Sequence, residues 1–398
     1  MMIRKKILFI HHGSGIGGAP HSLRLLIRSL DTKEFEPVVL FLFDSPAVKL
    51  FTDEGIAVAG PVLRAEFSHT VIWWYRWYHV HHFLRALWDW VQVLFFDAGK
   101  WFDELKPDIV HLNTSSLSVW ALVAWWKHIP VVWHIRESLA SGYMGLRRMI
   151  IQSIVERCAT KIIAISTYDG RFWKNSKKLV ILQNPVDCQF FSPNIAARKQ
   201  QRELLNIPQE ANVLVYLGGL SREKGALLAL RILERLLVKN HDFYLIVAGS
   251  WKMPTESKLR TILGLQQWYR QVNQLAQKMA KNIRFTGVVE STHHILQTSD
   301  CLVFPAQKGH FARPVLEAGA VGLPVVASHL SPLEELVEDQ ETGFLCDPGD
   351  LDVWERAILT LFEQKAGAFN FVRKKIEDGF GLEPYGKKIT VIYRSLGG

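Results

Sequence analysis

Short runs of consecutive apolar, often β-branched residues recur along the chain, separated by stretches whose apolar positions return every three or four residues. In the first half the runs fall at 6–10, 38–43, 109–112, 131–134, 161–165 and 179–182; in the second they fall at 213–217, 244–248, 283–286, 301–304, 325–327 and 343–346. A run that is apolar at every position suits a strand covered on both faces, the condition of a parallel sheet with helices on each side. The repeated alternation therefore predicts an α/β fold of two doubly wound parallel-sheet domains. The polar stretch 184–212, punctuated by Asn184-Pro185-Val186-Asp187 and Ser192-Pro193-Asn194, marks the passage from one domain to the next. The expected division is 1–190, 191–382 and a terminal helix at 383–398.

Composition narrows this. The 398 residues exceed one comfortable core and suit two. With 48% hydrophobic and 21% charged residues, a disordered, collagen-like or coiled-coil chain is excluded. The net charge of +9 is local: residues 111–200 carry 12 basic and 4 acidic side chains, and the flanking segments are near balance. Such an excess reads as a site for an anionic ligand or surface. No zinc-finger, helix-turn-helix or RNP-type pattern accompanies it, so nucleic acid is not an expected partner. Cys158, Cys188, Cys301 and Cys346 form no CxxC pair, the start lacks an export signal, and no uncharged apolar run is long enough to cross a bilayer. A reduced, cytoplasmic setting is expected.

Candidate chemistry lies where strands give way to helices. Strand 6–10 leads to Gly13-Ser14-Gly15-Ile16-Gly17-Gly18-Ala19 and a helix expected from about His21. Glycines there let backbone N–H groups approach an anion at a helix start, although a turn that simply needs glycine explains them equally well. Neither the dinucleotide fingerprint nor the Walker A pattern is present. The second half repeats the device: strand 213–217, then Gly218-Gly219-Leu220-Ser221-Arg222-Glu223-Lys224-Gly225, then a helix from Ala226. The helix dipole disfavours Arg222 and Lys224 at its start, which a bound anion would rationalise; the alternative is solvated loop charge. Further on, strand 301–304 runs into Lys308-Gly309-His310-Phe311-Ala312-Arg313-Pro314-Val315, with Pro314 at a helix start and Glu317 expected in the first turn. A carboxylate there can accept bonds from ribose hydroxyls or merely favour the dipole.

Taken in order, these segments resemble the retaining glycosyltransferases of family 4. The series runs from Asn184-Pro185-Val186-Asp187 through Gly218–Gly225, Asn282–Gly287, Thr298–Pro305 and Phe311–Ser328 to Glu341-Thr342-Gly343-Phe344-Leu345. The resemblance implies the GT-B fold, two facing Rossmann-like domains with an interdomain cleft, and a final helix that crosses back to the N-terminal domain. It also implies transfer of a sugar from a UDP- or GDP-sugar to a hydroxyl acceptor, a glycan or lipid-linked saccharide, with retained configuration. Glu317 matches the second Glu of the family's E-x7-E motif, Lys224 its diphosphate-binding Lys, Gly17 and Gly18 its glycine turn, and His134 the His that contacts the donor sugar. His134 read without the family is a satisfied core histidine. On the same reading Arg222, His310, Phe311, Ala312, Arg313, Pro314 and Val315 border the donor, and no metal or other cofactor is expected. Two positions depart from the pattern. The first Glu of the motif falls on Gly309, and the usual Arg before the Lys falls on Gly219. These keep open a catalytically degenerate sugar-nucleotide-binding protein, or another GT-B enzyme such as a sugar-nucleotide epimerase.

Residues 64–102 hold 13 aromatic side chains, among them Trp73, Trp74, Trp77, Trp88, Trp90 and Trp101. Positions 73, 77, 80, 84, 87, 91 and 94 mark one apolar helix face, with Arg85, Asp89 and Gln92 elsewhere. Such a helix can lie in a bilayer interface, with Arg147, Arg148 and the basic residues after them on anionic headgroups; the alternative packs its tryptophans into the core. Peripheral contact with the inner face of the plasma membrane is the corresponding expectation.

Overall fold

The computed structural model describes residues 4–64, 80–139, 141, 143–239, 242–253, 265–363 and 371–396. The chain divides into two compact units, Met1–Pro185 with Leu382–Gly398, and Val186–Gly381.

In the first unit β1 (Lys5–His11), β2 (Phe35–Phe41), β3 (Ala57–Ala59), β4 (Ile109–Leu112), β5 (Val131–Ile135), β6 (Lys161–Ala164) and β7 (Leu179–Ile181) form one parallel sheet, ordered β3-β2-β1-β4-β5-β6-β7. In the second, β8 (Asn212–Tyr216), β9 (Phe243–Ala248), β10 (Ile283–Gly287), β11 (Cys301–Phe304), β12 (Val325–Ser328) and β13 (Gly343–Cys346) form another, ordered β10-β9-β8-β11-β12-β13. Strand β3 escaped the pattern because it is three residues long and lies between Gly55 and Gly60, both at positive φ. Each sheet reverses its winding once, between β1 and β4 and between β8 and β11. Ligands of open α/β sheets bind at the carboxyl ends of the strands flanking such a reversal. The Gly13–Ala19 turn, the Gly218–Gly225 loop and the segment after Phe304 all leave strands at these points.

The helices used below are α1 (Gly18–Arg28), α2 (Val80–Gln92), α3 (Ala98–Leu105), α4 (Ser118–Trp126), α5 (Leu146–Cys158), α6 (Ala226–Val238), α7 (Arg313–Val321) and α8 (Leu382–Arg394). Helix α1 begins three residues earlier than the sequence suggested, at the second glycine of the Gly17-Gly18 pair. The strand period of two sends Ile109 and His111 of β4, and Val132 and His134 of β5, to one face of the first sheet. That face is covered by α1 and α8: Leu23 and Leu26 share a core with Ile109, Val132, Ile389 and Tyr393. Helix α8 belongs to this unit although the whole second unit precedes it in sequence, and Arg394 Nε bonds Glu34 Oε2 at 2.9 Å.

On the opposite face α4 packs beside α2–α3 and α5. Of the two orientations open to the Trp-rich helix, the described residues show its apolar face turned outward. Helix α2 turns Ala86, Asp89 and half-buried Trp90 inward and leaves Val80, Leu84, Leu87 and Trp88 exposed, the last at 62%. Asp89, off the apolar face by periodicity, points inward. It lies 3.7 Å from Nη1 of Arg64, whose Nε also bonds Asp97 at 3.0 Å, and this ion-paired cluster roots the polar side of the helix in the fold. Trp73, Trp74 and Trp77 lie outside the described residues.

Candidate functional site

The carboxyl ends of β1, β4, β5 and β7 gather a polar cluster in the first unit. Arg136, just past β5, donates through Nε to Asn113 Oδ1 at 2.6 Å and through a second nitrogen to Asn184. With its oxygen engaged, the Asn113 amide faces Nδ1 of His11 with its NH2 group, at 3.2 Å. Glu137 accepts from the Thr114 hydroxyl at 2.5 Å and from Ser115 N–H at 3.0 Å. His134 is fully buried, with Nδ1 3.2 Å from Nε2 of His111 and its own Nε2 without a hydrogen-bond partner among the described residues. It is thus a core histidine by burial but not a satisfied one. Burial, with the Arg136 charge in support, holds both His111 and His134 well below the usual imidazole range. Burial likewise drives His11 down to about 3, helped by His12 and Arg136.

Gly17 caps α1 at an ordinary φ of −111°, and a Cβ placed on it meets nothing within 4 Å. Nothing in the fold requires glycine there, so its lack of a side chain leaves room for something else. Gly18 opens the helix beside it. Arg147 and Arg148 lie in the first turn of α5, on the far side of the sheet, where Arg148 stacks 4.9 Å over the ring of Phe172.

In the second unit the Gly218–Gly225 loop is fixed by close backbone approach. Gly225 stands at φ +85°, where a Cβ would come within 1.8 Å of the Pro305 carbonyl oxygen. Gln307 N–H donates to Glu223 O at 2.8 Å, and the Lys308 ammonium meets the Glu223 carboxylate at 2.6 Å. The two loops flanking the winding reversal are therefore strapped together, and Arg222 and Lys224 project exposed from the strap at the start of α6. A cavity of about 610 Å3 lined by Arg222, Glu223, Arg231, Trp268, Gln307 and Lys308 opens beside it. Lys224 and Glu317 do not line that cavity.

Glu317 sits one turn into α7, not in its first turn. Dipole compensation therefore does not explain it, because that effect is confined to the helix end. Instead it is buried, accepting from Thr292 Oγ1 at 2.7 Å and paired with Arg313 at 2.9 Å. Two carboxylate oxygens offer about four lone pairs, so capacity remains for a ligand hydroxyl. Ala312 and Val315 are buried and Phe311 packs against the same core, so these positions, with Pro314 near the helix start, can meet a ligand only through backbone or ring edge. His310 faces the Lys308 carbonyl oxygen through Nδ1 at 3.0 Å, its ring 5.5 Å from Phe304.

Both departures from the sequence pattern have a steric reading. A Cβ at Gly309 would lie 1.8 Å from the carbonyl oxygen of Ser331; a Cβ at Gly219, at φ +56°, would lie 2.7 Å from that of Ser250. The backbone has closed where the absent side chains would start. Sequence reasoning missed Arg136, Asn113, His11, His111 and Tyr393. Arg136, two residues beyond His134 at a strand end, gave the one usable signal.

Among the described residues no group of His, Cys, Asp or Glu is arranged to hold a metal ion, and no helix is long and apolar enough to cross a membrane. Residues 16–190 match the family model described as Glycosyltransferase Family 4, and residues 197–377 match Glycosyl transferases group 1. The chain belongs to glycosyltransferase family 4. It is 23% identical over 309 residues to the UDP-Gal:alpha-D-GlcNAc-diphosphoundecaprenol alpha-1,3-galactosyltransferase of Escherichia coli, covering 72% of this chain and 75% of that one. A D-inositol 3-phosphate glycosyltransferase of Corynebacterium urealyticum is 23% identical over 318 residues, covering 73% and 72%. Among solved structures, Anabaena Alr3699/HepE in complex with UDP superposes with a TM-score of 0.77 at 19% identity, covering 98% of this chain and all of that one. WaaG, a glycosyltransferase involved in lipopolysaccharide biosynthesis, gives 0.65 at 16% identity, covering 97% and 99%. The fold is that of the GT-B family-4 enzymes, which use nucleotide-sugar donors.

Two outcomes follow for this family-4 chain. His11, His12, His111 and His134 are held neutral in the folded state and charge freely once unfolded, so the unfolded state binds more protons below about pH 6.5. Urea titrations of the first unit should show stability present above pH 6.5 and lost as the pH falls towards 3, by roughly 1 kcal/mol per histidine per pH unit. In thermal melts Gly17→Ala should leave the midpoint within a degree or so, while Gly309→Ala should lower it by several degrees, an overpacking penalty of about 1–3 kcal/mol.

Proposed function

We propose that the protein transfers a sugar from a UDP-sugar to a hydroxyl of a lipid-linked saccharide, with retention, without a metal, at a cytoplasmic membrane surface. The observation that carries the reading is Glu317, a buried carboxylate held by Arg313 and Thr292 beside the winding reversal of the second sheet, with Arg222 and Lys224 exposed on the adjoining loop. Glu317 takes the ribose hydroxyls. Lys224 and Arg222 take the diphosphate, whose growing charge in the transition state they offset in place of a metal. Within the first unit, the open turn at Gly17 and Gly18 and the buried, unpartnered Nε2 of His134 are the candidate contacts for a ligand. The name of the Escherichia coli relative supports both UDP as the nucleotide and a lipid-diphosphate acceptor. Retention is proposed by a front-face route, in which the departing phosphate oxygen takes the acceptor proton, because Gly309 supplies no nucleophile.

The membrane part of the reading rests on three adjoining helices with outward apolar side chains: Leu84, Leu87 and Trp88 on α2, Trp125 and Trp126 at the end of α4, and Met149 and Ile150 on α5. Arg85, Arg148 and Arg157 stand among them, the mixture of apolar anchors and cations that suits an anionic bilayer.

The backbone closure at Gly309 gives one alternative weight, a chain that binds the donor and does not transfer it. A release assay for UDP over a panel of UDP-sugars and lipid-linked acceptors separates them. Turnover is expected in the wild type, with kcat down about 100- to 1000-fold in Lys224→Ala, at an unchanged thermal midpoint, and in Glu317→Gln, whose loss of the buried Arg313 pair lowers the midpoint as well. Rates intact in both variants would remove the site assignment, and donor binding without turnover would select the alternative. In a sedimentation assay the wild type should pellet with phosphatidylglycerol vesicles and not with phosphatidylcholine. Trp88→Glu with Phe96→Glu, the latter an exposed ring just past α2, should weaken that binding about tenfold or more; wild-type protein left wholly in the supernatant would end the membrane proposal.

A further inference from the structure

The cavity of about 610 Å3 beside the Gly218–Gly225 loop has no part in the donor contacts proposed above for Lys224 and Glu317, neither of which lines it. Its size falls within the range of small-molecule sites. One wall is apolar: Leu227 and Trp268 line it, packed against the core that Leu230, Leu233 and Trp354 build on one face of the second sheet. The remainder is charged. Among the described residues Arg222, Arg231 and Lys308 share the lining with one carboxylate, Glu223, three positive charges against one negative.

Elsewhere in this unit guanidinium groups are matched. Arg202 meets Asp300 at 2.8 Å, Arg235 meets Glu355 at 2.9 Å, and Arg313 meets Glu317 at 2.9 Å. In the cavity the one carboxylate is already taken, because Glu223 holds the Lys308 ammonium at 2.6 Å. Arg222, from the loop, and Arg231, from the second turn of α6, are exposed and have neither an ion pair nor a hydrogen bond among the described residues. Two unmatched like charges on one cavity gain the fold nothing, since they repel. A dianion between them turns that repulsion into attraction. A phosphate monoester carries about two negative charges at neutral pH, equal to the surplus in the lining, and a guanidinium grips it through two parallel N–H bonds. The apolar wall suits the group that carries the phosphate, because an indole and a leucine accept the flat face of a ring.

We propose that this cavity is a second ligand site, for a small phosphate monoester carried on a ring, with the phosphate on Arg222 and Arg231 and the ring on Trp268 and Leu227. Its position makes it regulatory. Glu223 and Lys308 line it and also strap together the two loops at the winding reversal. Arg222 is the shared group: under the reading in Proposed function it takes the donor diphosphate, and a guanidinium engaged in the cavity is lost to the donor. A bound monoester therefore weakens donor binding. The site rests on the cavity; the inhibition rests also on that reading.

Calorimetry on the full-length protein tests the site, with phenyl phosphate and glucose 6-phosphate as probes. Neither carries a nucleoside, and the pair distinguishes an aromatic ring from a sugar ring. At least one should bind saturably, one per chain. Arg231→Glu, at an exposed position whose loss costs the fold no contact, should weaken that binding about tenfold or more. Lys374→Glu makes the same change of charge in the helix Val372–Phe380, whose Ile376 packs on the other face of the sheet, and should alter binding less than twofold. Lys224→Ala should also leave it within about twofold. Failure of both probes to saturate below about 10 mM overturns the proposal, as does binding indifferent to Arg231→Glu. A loss in Lys224→Ala as large as in Arg231→Glu overturns it too, because the phosphate then sits on the donor loop. In the UDP-release assay the bound probe should raise KM for the UDP-sugar about tenfold in the wild type and less than twofold in Arg231→Glu. An unchanged KM in the wild type ends the regulatory half. Because calorimetry needs no donor, saturable binding in a protein without transfer activity counts against the functional reading and leaves the site standing.

Discussion

A parallel sheet with helices on both faces makes an unpaired polar group in its strands costly, and much of this molecule follows from that constraint. Strand interiors are apolar at nearly every position, as in Ile7 to Ile10 and Val213 to Val215, because a polar side chain there would lose water without gaining a partner. Chemistry is thereby pushed to the carboxyl ends of the strands, above all where the winding reverses. The first unit places its Arg136–Asn113–His11 cluster there, and the second places its strapped loops and Glu317. His111 and His134, in the interiors of β4 and β5, depart from this pattern; they contact each other, and His111 also contacts Tyr393.

The strand and helix grammar was legible because burial on both faces writes itself into sequence as unbroken apolar runs. Twelve strands stand where such runs occur, and the missing one, β3, is too short to make a run. Orientation was harder to read. Periodicity separates the faces of α2 but does not say which points inward, and the pairing of inward Asp89 with Arg64 is distant in sequence. Glu317 and Lys224 were legible through a family pattern. Arg136 and Asn113 were not, because their meaning lies in a contact across 23 positions that no local spacing encodes.

Gly309 and Gly219 show how differently one substitution reads in the two settings. In sequence each is a lost functional side chain. In the fold each is a position where backbone has moved in, against Ser331 and Ser250, so that restoring the side chain would not restore the site. The loss and the local path of the chain are one event. Gly17 is the reverse case: its φ is ordinary and its surroundings are open, so a demand for glycine there comes from outside the fold.

The placement of α8 also bears on how the protein is made. Tyr385, Ile389, Ile392 and Tyr393 belong to the same core as Ile7, Phe9 and Leu26, yet they are separated from them by the entire second unit. On the ribosome the first sheet emerges early but lacks part of one covering layer until α8 is released, whereas the second unit is continuous and has all its parts by residue 381. The unit begun first is finished last. Its His111–His134 pair acquires its hydroxyl partner only at that closing step, so premature termination within the last helix would leave a completed second unit joined to a sheet with one face covered by α1 alone.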